Sequence, residues 1–123
     1  MAKKKILIID DEHSITAFLR FVLEKTELYQ VSFENDSSKA LAVIQSTHPD
    51  LLILDINMPG ISGVEVAEAL KSDTSLKKIP IVFLTGNITD EEAAAGEMVG
   101  GFPAVGKPIN MERLLERIEQ SLR

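Results

Sequence analysis

The 123-residue sequence contains no cysteine and no tryptophan, and aromatic residues make up only 5% of it. Without cysteine, disulfide stapling and thiolate metal sites are both excluded. Long hydrophobic runs are also missing. The apolar stretch behind Met1-Ala2-Lys3-Lys4-Lys5 extends only from Ile6 to Ile9 before Asp10 and Asp11 interrupt it. That is too short for an export signal, and no other stretch approaches the roughly 20 apolar residues of a membrane span. A cytoplasmic address with no membrane contact is therefore expected. Positive charge is scarce: 13 Lys and Arg stand against 19 Asp and Glu, a net charge of −6. Phosphate backbones are held by clustered Lys and Arg, so this balance argues against nucleic-acid contact. Internal repeats, low-complexity runs and linkers are absent as well.

What remains is an ordinary globular composition, 45% hydrophobic and 26% charged, in a length that suits one domain over residues 1–123. Lys5 to Ile9 is a short apolar run ending in acids, the pattern of a strand buried on both faces. Ile15, Phe18, Leu19, Val22 and Leu23 then recur as the stripe of an amphipathic helix. Tyr29, Val31 and Phe33 alternate in a strand over Tyr29 to Glu34, expected toward a sheet edge. Asn35, Asp36, Ser37 and Ser38 form a capping cluster ahead of a helix that carries Ala40, Leu41 and Ile44 and ends near Thr47, before Pro49. Leu51 to Leu54 is continuously apolar and ends at Asp55, the mark of a central parallel strand. After the Met58-Pro59-Gly60 turn, Val64, Ala67 and Leu70 predict a helix to about Lys71, and Ile81 to Leu84 repeats the buried-strand pattern up to Thr85. Between Thr89 and Val99 the helical signal weakens, because Gly96 falls in its interior. Pro103 has no amide donor, which sends the strand at Ala104 and Val105 to a sheet edge. Met111, Leu114, Leu115, Ile118 and Leu122 predict a last helix. Strands alternating with helices call for an α/β doubly wound sheet of five parallel strands with helices on both faces, a three-layer sandwich.

In such a sheet, ligands sit outside the carboxyl ends of the strands. Those ends carry Asp10 and Asp11, Asp55, Thr85 and Lys107. Carboxylates held close together resist ionisation unless a cation occupies the gap. Mg²⁺, with Mn²⁺ as an alternative, suits such an all-oxygen donor set and shares its coordination sphere with phosphate. A carboxylate can attack phosphorus to give an acyl phosphate, and Asp55 is the candidate. Lys107 would supply a point charge to the phosphoryl oxygens and Thr85 a hydroxyl. Taken singly, each residue has a plainer reading. Asp10 and Asp11 read as helix caps, Asp55 as a turn cap, Thr85 as a β-former and Lys107 as a solvated charge. Their convergence on one predicted sheet edge favours the chemical reading.

These residues also carry a resemblance. Ile8-Ile9-Asp10-Asp11-Glu12, Asp55-Ile56-Asn57-Met58-Pro59 with Gly63, Leu84-Thr85-Gly86 and Lys107-Pro108 resemble the receiver domains of two-component response regulators across nearly the whole chain. The resemblance implies a flavodoxin-like sheet of order 2-1-3-4-5 and phosphorylation at Asp55. It implies metal ligation by Asp11, Asp55 and the carbonyl of Asn57, with Asp10 acting through water. It implies that Thr85 and Lys107 read the phosphoryl group, and that the Lys107–Pro108 bond is cis. The implied donor is a histidine kinase or phosphotransfer protein, and the implied receiver of the signal is an effector protein or effector domain. The domain would then be a regulatory phospho-acceptor, catalysing only its own phosphotransfer and dephosphorylation.

The sequence departs from the family at Ala104, where an aromatic ring usually answers the movement of the Thr. Gly86, Gly96, Gly100, Gly101 and Gly106 cluster on the same predicted face, beside Phe102. Output by ordering of a loose region from Thr85 to Gly106 is one expectation; turns that merely need glycine are the other. His13 and His48 read as surface residues, while Asn57 and Asn87 flank the expected phosphoryl pocket. Two other functions compete. A haloacid-dehalogenase-like phosphatase would need a second acid where Asn57 stands, and a cap region for which this length leaves no room. A receiver-like docking module that is never phosphorylated would not need the intact acids, Thr85 and Lys107.

Overall fold

Apolar side chains in the strands alternate strictly between two faces, and the two faces make two separate cores. In the computed structural model, which describes residues 2–86 and 98–123, the strands are β1 (Lys4–Ile9), β2 (Tyr29–Glu34), β3 (Leu51–Asp55), β4 (Ile81–Thr85), β5 (Met98–Val99) and β6 (Phe102–Gly106). The helices are α1 (His13–Lys25), α2 (Ala40–Thr47), preceded by a 3₁₀ turn at Ser37–Lys39, α3 (Gly63–Lys71) and α4 (Met111–Ser121). Leu7, Ile9, Leu52, Leu54, Ile81, Phe83 and Ala104 bury one face of the sheet against Ala40 and Ile44 of α2 and Val66, Ala67 and Leu70 of α3. Ile6, Ile8, Leu51, Ile53, Val82, Leu84 and Val105 bury the other against Leu19 and Leu23 of α1 and Leu114 and Ile118 of α4. This is the three-layer α/β arrangement expected from the alternating elements.

The sheet order is β2-β1-β3-β4-β6-β5. All pairings from β2 to β6 are parallel. The expected 2-1-3-4-5 parallel sheet is therefore present, with β6 as its fifth strand. A short sixth strand is an addition. Met98 and Val99, expected at the end of a helix, pair antiparallel with Pro103 and Phe102. The two residues between the strands are Gly100 and Gly101, with φ of 57° and 88°. Two positive φ values in a two-residue loop are what a tight hairpin turn of the right twist requires, and glycine supplies them without steric cost. The prolyl strand is accordingly the edge of the parallel sheet, covered over only two residues. The remainder of the helix expected from Thr89, together with Asn87 and Gly96, lies outside the described residues.

Most helix boundaries follow local chemistry. Asp36 accepts hydrogen bonds from the Ser38 amide and hydroxyl at 3.0 and 2.6 Å, capping the turn that leads into α2. His48 ends α2 in the left-handed region at φ 47°. Asn110 caps α4 by accepting from the Arg113 amide at 3.1 Å. At α3, Ser62 Oγ accepts from the Glu65 amide at 3.2 Å, and Glu65 Oε1 accepts from the Ser62 amide at 3.1 Å, a complete capping box. One expectation about α1 is corrected. Phe18 is not part of the inward stripe and is 51% exposed, whereas Thr16 is buried with Leu19 and Leu23. A threonine can occupy that position because its hydroxyl is satisfied, donating to the His13 carbonyl and accepting from Asn35 Nδ2 at 2.9 Å.

Removing the α3 capping box tests how much this helix depends on its first turn. Ser62→Ala should lower unfolding free energy by about 1 kcal/mol, measured by urea denaturation, with the midpoint moving and the slope unchanged.

Candidate functional site at the carboxyl edge of the sheet

Parallel register brings four strand ends level. Ile9 pairs with Leu54, Asp55 with Leu84, and Thr85 with Gly106. Asp10 therefore leaves β1 beside Asp55, the last residue of β3, while Thr85 closes β4 and Lys107 follows β6. The Lys107 amide donates to the Thr85 carbonyl at 2.8 Å, which fixes the turn into the Lys107–Pro108 bond. That bond is cis, as expected.

The polar residues buried among those described are Asp10, Thr16, Ser37, Asp55 and Thr85, so three of the five converge on this edge. A buried carboxylate must be paired, because moving an ion out of water costs several kcal/mol. The pairing is supplied by Lys107. Its ammonium lies 3.0 Å from Asp10 Oδ2, 2.9 Å from Glu12 Oε1 and 3.5 Å from Asp55 Oδ1. The pairing is incomplete. Asp10 Oδ1 accepts from the Glu12 amide at 2.9 Å, but buried Oδ2 has no well-directed hydrogen bond. Asp55 Oδ1 accepts a long bond, 3.3 Å, from the Asn57 amide and faces the Lys107 ammonium at 3.5 Å.

The electrostatics reflect this shortfall. Burial and the charge of Asp10 push the Asp55 carboxyl up from 3.8 to about 6, against the opposing pull of Lys107. Burial also raises Asp10, with the Glu12 amide and Lys107 acting the other way. Burial disfavours the Lys107 ammonium, but hydrogen bonds to Glu12 and Asp10 and the charges of Asp10 and Asp55 outweigh it. Its proton is held more tightly than in an ordinary lysine.

One carboxylate oxygen from each of Asp10, Asp11 and Asp55 lies within 4.8 Å of the other two. This all-oxygen set, in which the buried Asp10 Oδ2 has only the Lys107 ammonium at 3.0 Å to offset it, fits a hard divalent ion such as Mg²⁺ or Mn²⁺ and offers nothing to a soft one.

The loop after β3 is held by close backbone approach. Gly63 donates to the Ile56 carbonyl at 2.9 Å. A Cβ at position 63 would press into the Asp55 carbonyl and come within 2.9 Å of Ile56 Cα, so glycine is needed for Asp55 to sit where it does. Ser37 Oγ donates to the Pro59 carbonyl and anchors the far side of this loop to the start of α2.

The structure brings together Asp10, Asp11, Asp55 and Lys107, with Thr85 buried at the adjoining strand end and Asn57 exposed two residues beyond Asp55. Gly86 is exposed at the end of β4. Ala104 and Phe102 belong to the core between the sheet and α2 and α3. Ala104 is buried there, and Phe102 packs edge-on against Phe83 with ring centroids 6.1 Å apart. His48 caps α2, and His13 lines the groove between α1 and β2 with Arg20 and Phe33. Sequence reasoning gave Glu12 no role in the site and read Asn35 only as part of a capping cluster. Asn35 Nδ2 donates to the Asp10 carbonyl at 2.8 Å and thereby ties the end of β2 to the site. The acid run Asp10-Asp11-Glu12 carried a signal for Glu12; nothing distinguished Asn35 from a turn residue.

With this geometry in view, the comparisons with known proteins are consistent. A family model described as the response regulator receiver domain matches residues 6–119, and the chain belongs to that family. It is a regulatory domain of the receiver class, and its family places it among phosphorelay switches. It is 37% identical over 123 residues to the phosphate regulon transcriptional regulatory protein PhoB of Pseudomonas aeruginosa, covering 100% of this chain and 53% of that protein. It is 31% identical over 121 residues to the DNA-binding response regulator MtrA of Mycolicibacterium smegmatis, covering 98% of this chain and 51% of that protein. The chain thus spans about half the length of these relatives. Among solved structures, the chemotaxis protein CheY4 of Vibrio cholerae aligns with a TM-score of 0.82 at 33% identity, over 98% of this chain and 100% of that one. A putative response regulator from Chloroflexus aurantiacus aligns with a TM-score of 0.85 at 28% identity, over 98% of both chains.

Two outcomes follow for the unliganded domain. Gly63→Ala should cost about 1–3 kcal/mol of stability and shift the amide resonances of Asp55 and Ile56, read by urea denaturation and NMR. The second concerns pH. Asp55 keeps its proton to about 6 when folded, against 3.8 as an isolated group, so the folded state binds more protons between these values. Metal-free stability should therefore fall as pH rises through that window and level off above it. Asp55→Asn should be more stable than the parent at neutral pH by up to about 3 kcal/mol, with the gap closing toward pH ~4. Denaturation series in the presence of a chelator check both signs.

Proposed function

We propose that this chain is a phosphorelay switch in which Asp55 accepts a phosphoryl group from a histidine kinase or phosphotransfer protein in an Mg²⁺-dependent reaction. The observation that carries the reading is the placement of a buried Asp55 carboxylate beside two further acids and 3.5 Å from Lys107. An Asp55 oxygen attacks phosphorus as the bond from phosphorus to the donor's imidazole nitrogen breaks, leaving an acyl phosphate on Asp55 and the imidazole free to take up a proton. Asp10, Asp11 and Asp55 would hold the ion, joined by the carbonyl of Asn57. The bound ion offsets charge on the phosphoryl oxygens. Lys107 supplies a second positive charge on the side facing β1, and the Thr85 hydroxyl serves as the donor at the end of β4.

The reading requires the proton to leave Asp55 before attack. Asp10, Asp11 and Asp55 holding a divalent ion would lower the cost of that ionisation. Later hydrolysis, in which water attacks phosphorus and inorganic phosphate leaves, returns Asp55 to the carboxylate. The output passes to an effector protein or effector domain rather than to nucleic acid held by this domain, in keeping with its net charge of −6. Among the described residues no helix is long and apolar enough to cross a membrane, and a cytoplasmic location fits a partner kinase that presents its phosphohistidine there.

Incubation with Mg²⁺ and acetyl phosphate should add one phosphoryl group, seen by intact mass, and omission of Mg²⁺ or Asp55→Ala should abolish it. Labelling of Asp55→Ala at the parent's level would overturn the assignment. Multiple turnover of a simple phosphate ester without stable labelling would point to a phosphatase.

A further inference from the structure

The ammonium of Lys107 is committed elsewhere in the unphosphorylated domain. It donates a 2.9 Å hydrogen bond to Glu12 Oε1 and lies 3.0 Å from Asp10 Oδ2, while Asp55 Oδ1 is 3.5 Å away. Glu12 is 95 residues distant in sequence and stands at the N-cap position of α1. Asp, Asn, Ser or Thr there would accept from an amide of the first helical turn; the longer Glu12 makes no such side-chain cap and is free to reach Lys107. Its own amide is held by Asp10 Oδ1 at 2.9 Å, which fixes where its side chain begins. Lys107 is largely sheltered, at 17% exposure, whereas Glu12 is 54% exposed. The acid can therefore let go into water cheaply, and the lysine cannot. Resting on the reading of Asp55 as the phosphoryl acceptor, we infer that Glu12 is a positioning residue that competes with the phosphoryl group for Lys107, and so biases the domain toward its unphosphorylated state.

The physical basis is a differential contact. A phosphoryl group on Asp55 brings further negative charge and oxygens next to Lys107, and the ammonium has only three donors to distribute. Glu12 must either release one of them or remain as a third negative group beside the phosphoryl oxygens. In both cases its interaction is better before phosphorylation than after, and a group with that preference shifts the equilibrium by the difference. Because Glu12 is half exposed, the difference should be that of a screened ion pair, about two- to fivefold in affinity.

The test is an NMR titration of the full chain with beryllofluoride, a phosphoryl mimic, at an Mg²⁺ concentration that saturates each variant, with Mg²⁺ affinity measured separately. Glu12→Gln should tighten beryllofluoride about two- to fivefold. Glu12→Asp keeps the charge, but it is one methylene too short to reach and better suited to cap α1; it should tighten binding in the same direction. In a Lys107→Ala background, both effects should vanish. Unchanged or weaker binding in Glu12→Gln would overturn the inference, by showing that Glu12 holds Lys107 in a productive position. So would Glu12→Asp behaving as the parent, or a gain that persists without Lys107, since either would reduce Glu12 to a general field. If the parent domain bound no beryllofluoride, the acceptor reading itself would fail first. If the parent bound it and Glu12→Gln did not tighten it, only the competition would fail.

Discussion

One ammonium among three carboxylates is the constraint on which the rest of this domain turns. Lys107 lies 3.0 Å from Asp10, 2.9 Å from Glu12 and 3.5 Å from Asp55, and two of those acids are buried. Such a cluster survives folding only if the charges are delivered to one point with little freedom. The parallel register of β1, β3, β4 and β6 does the delivering, and two apolar cores hold the strands in register. Gly63 lets the chain after β3 turn back closely enough to keep Asp55 in place.

The cluster is deliberately short of positive charge. A single lysine offsets part of the repulsion, and the raised carboxyls of Asp55 and Asp10 express what is left over. On the proposed reading, an edge of this kind would gain from a divalent ion and then from a phosphoryl group, since the first would relieve the acids and the second would give the ion and the lysine an anion to share. The domain thereby holds a difference between states in a small volume, which is what a switch requires. Ala104 bears on how that difference travels. It is buried against the α2 and α3 core and presents no ring that could rotate, while the neighbouring aromatic, Phe102, is engaged by Phe83 and by Lys71, whose Nζ lies 5.5 Å from the ring centroid.

Much of the fold was legible residue by residue. Continuous apolar runs at Leu51–Leu54 and Ile81–Leu84 mark strands buried on both faces, and both are fully buried. The boundaries of β2 and the ends of α2 and α4 agree with the local turn and capping residues. Three readings failed for identifiable reasons. Val64 is 40% exposed, because the inward line of α3 runs through Val66, Ala67 and Leu70. Phe18 fits the helical period but lies outward, because the inward line runs through Thr16, Leu19 and Leu23, and a threonine with a satisfied hydroxyl is invisible to a hydrophobicity pattern. Met98 and Val99 belong to a strand rather than a helix end, because the Gly100-Gly101 pair folds them back onto Phe102 and Pro103; the glycines were noticed but not read as a hairpin turn.

The site divides in the same way. Sequence by itself determined which residue types stand at the ends of the strands: Asp10, Asp11, Asp55, Thr85 and Lys107 each follow or close an apolar run, and the alternation of elements puts those ends on one edge. It also determined the absence of cysteine, so that the strand ends offer oxygen donors, which suit a hard ion. Only the tertiary structure decided who touches whom. That Lys107 is shared between Glu12 and Asp10, and that Asn35 ties β2 to the Asp10 carbonyl, are facts about distance and direction between segments far apart in the chain. Periodicity places a side chain on a face, but hydrogen bonds and ion pairs depend on ångström-scale separations that strand register and loop closure alone establish.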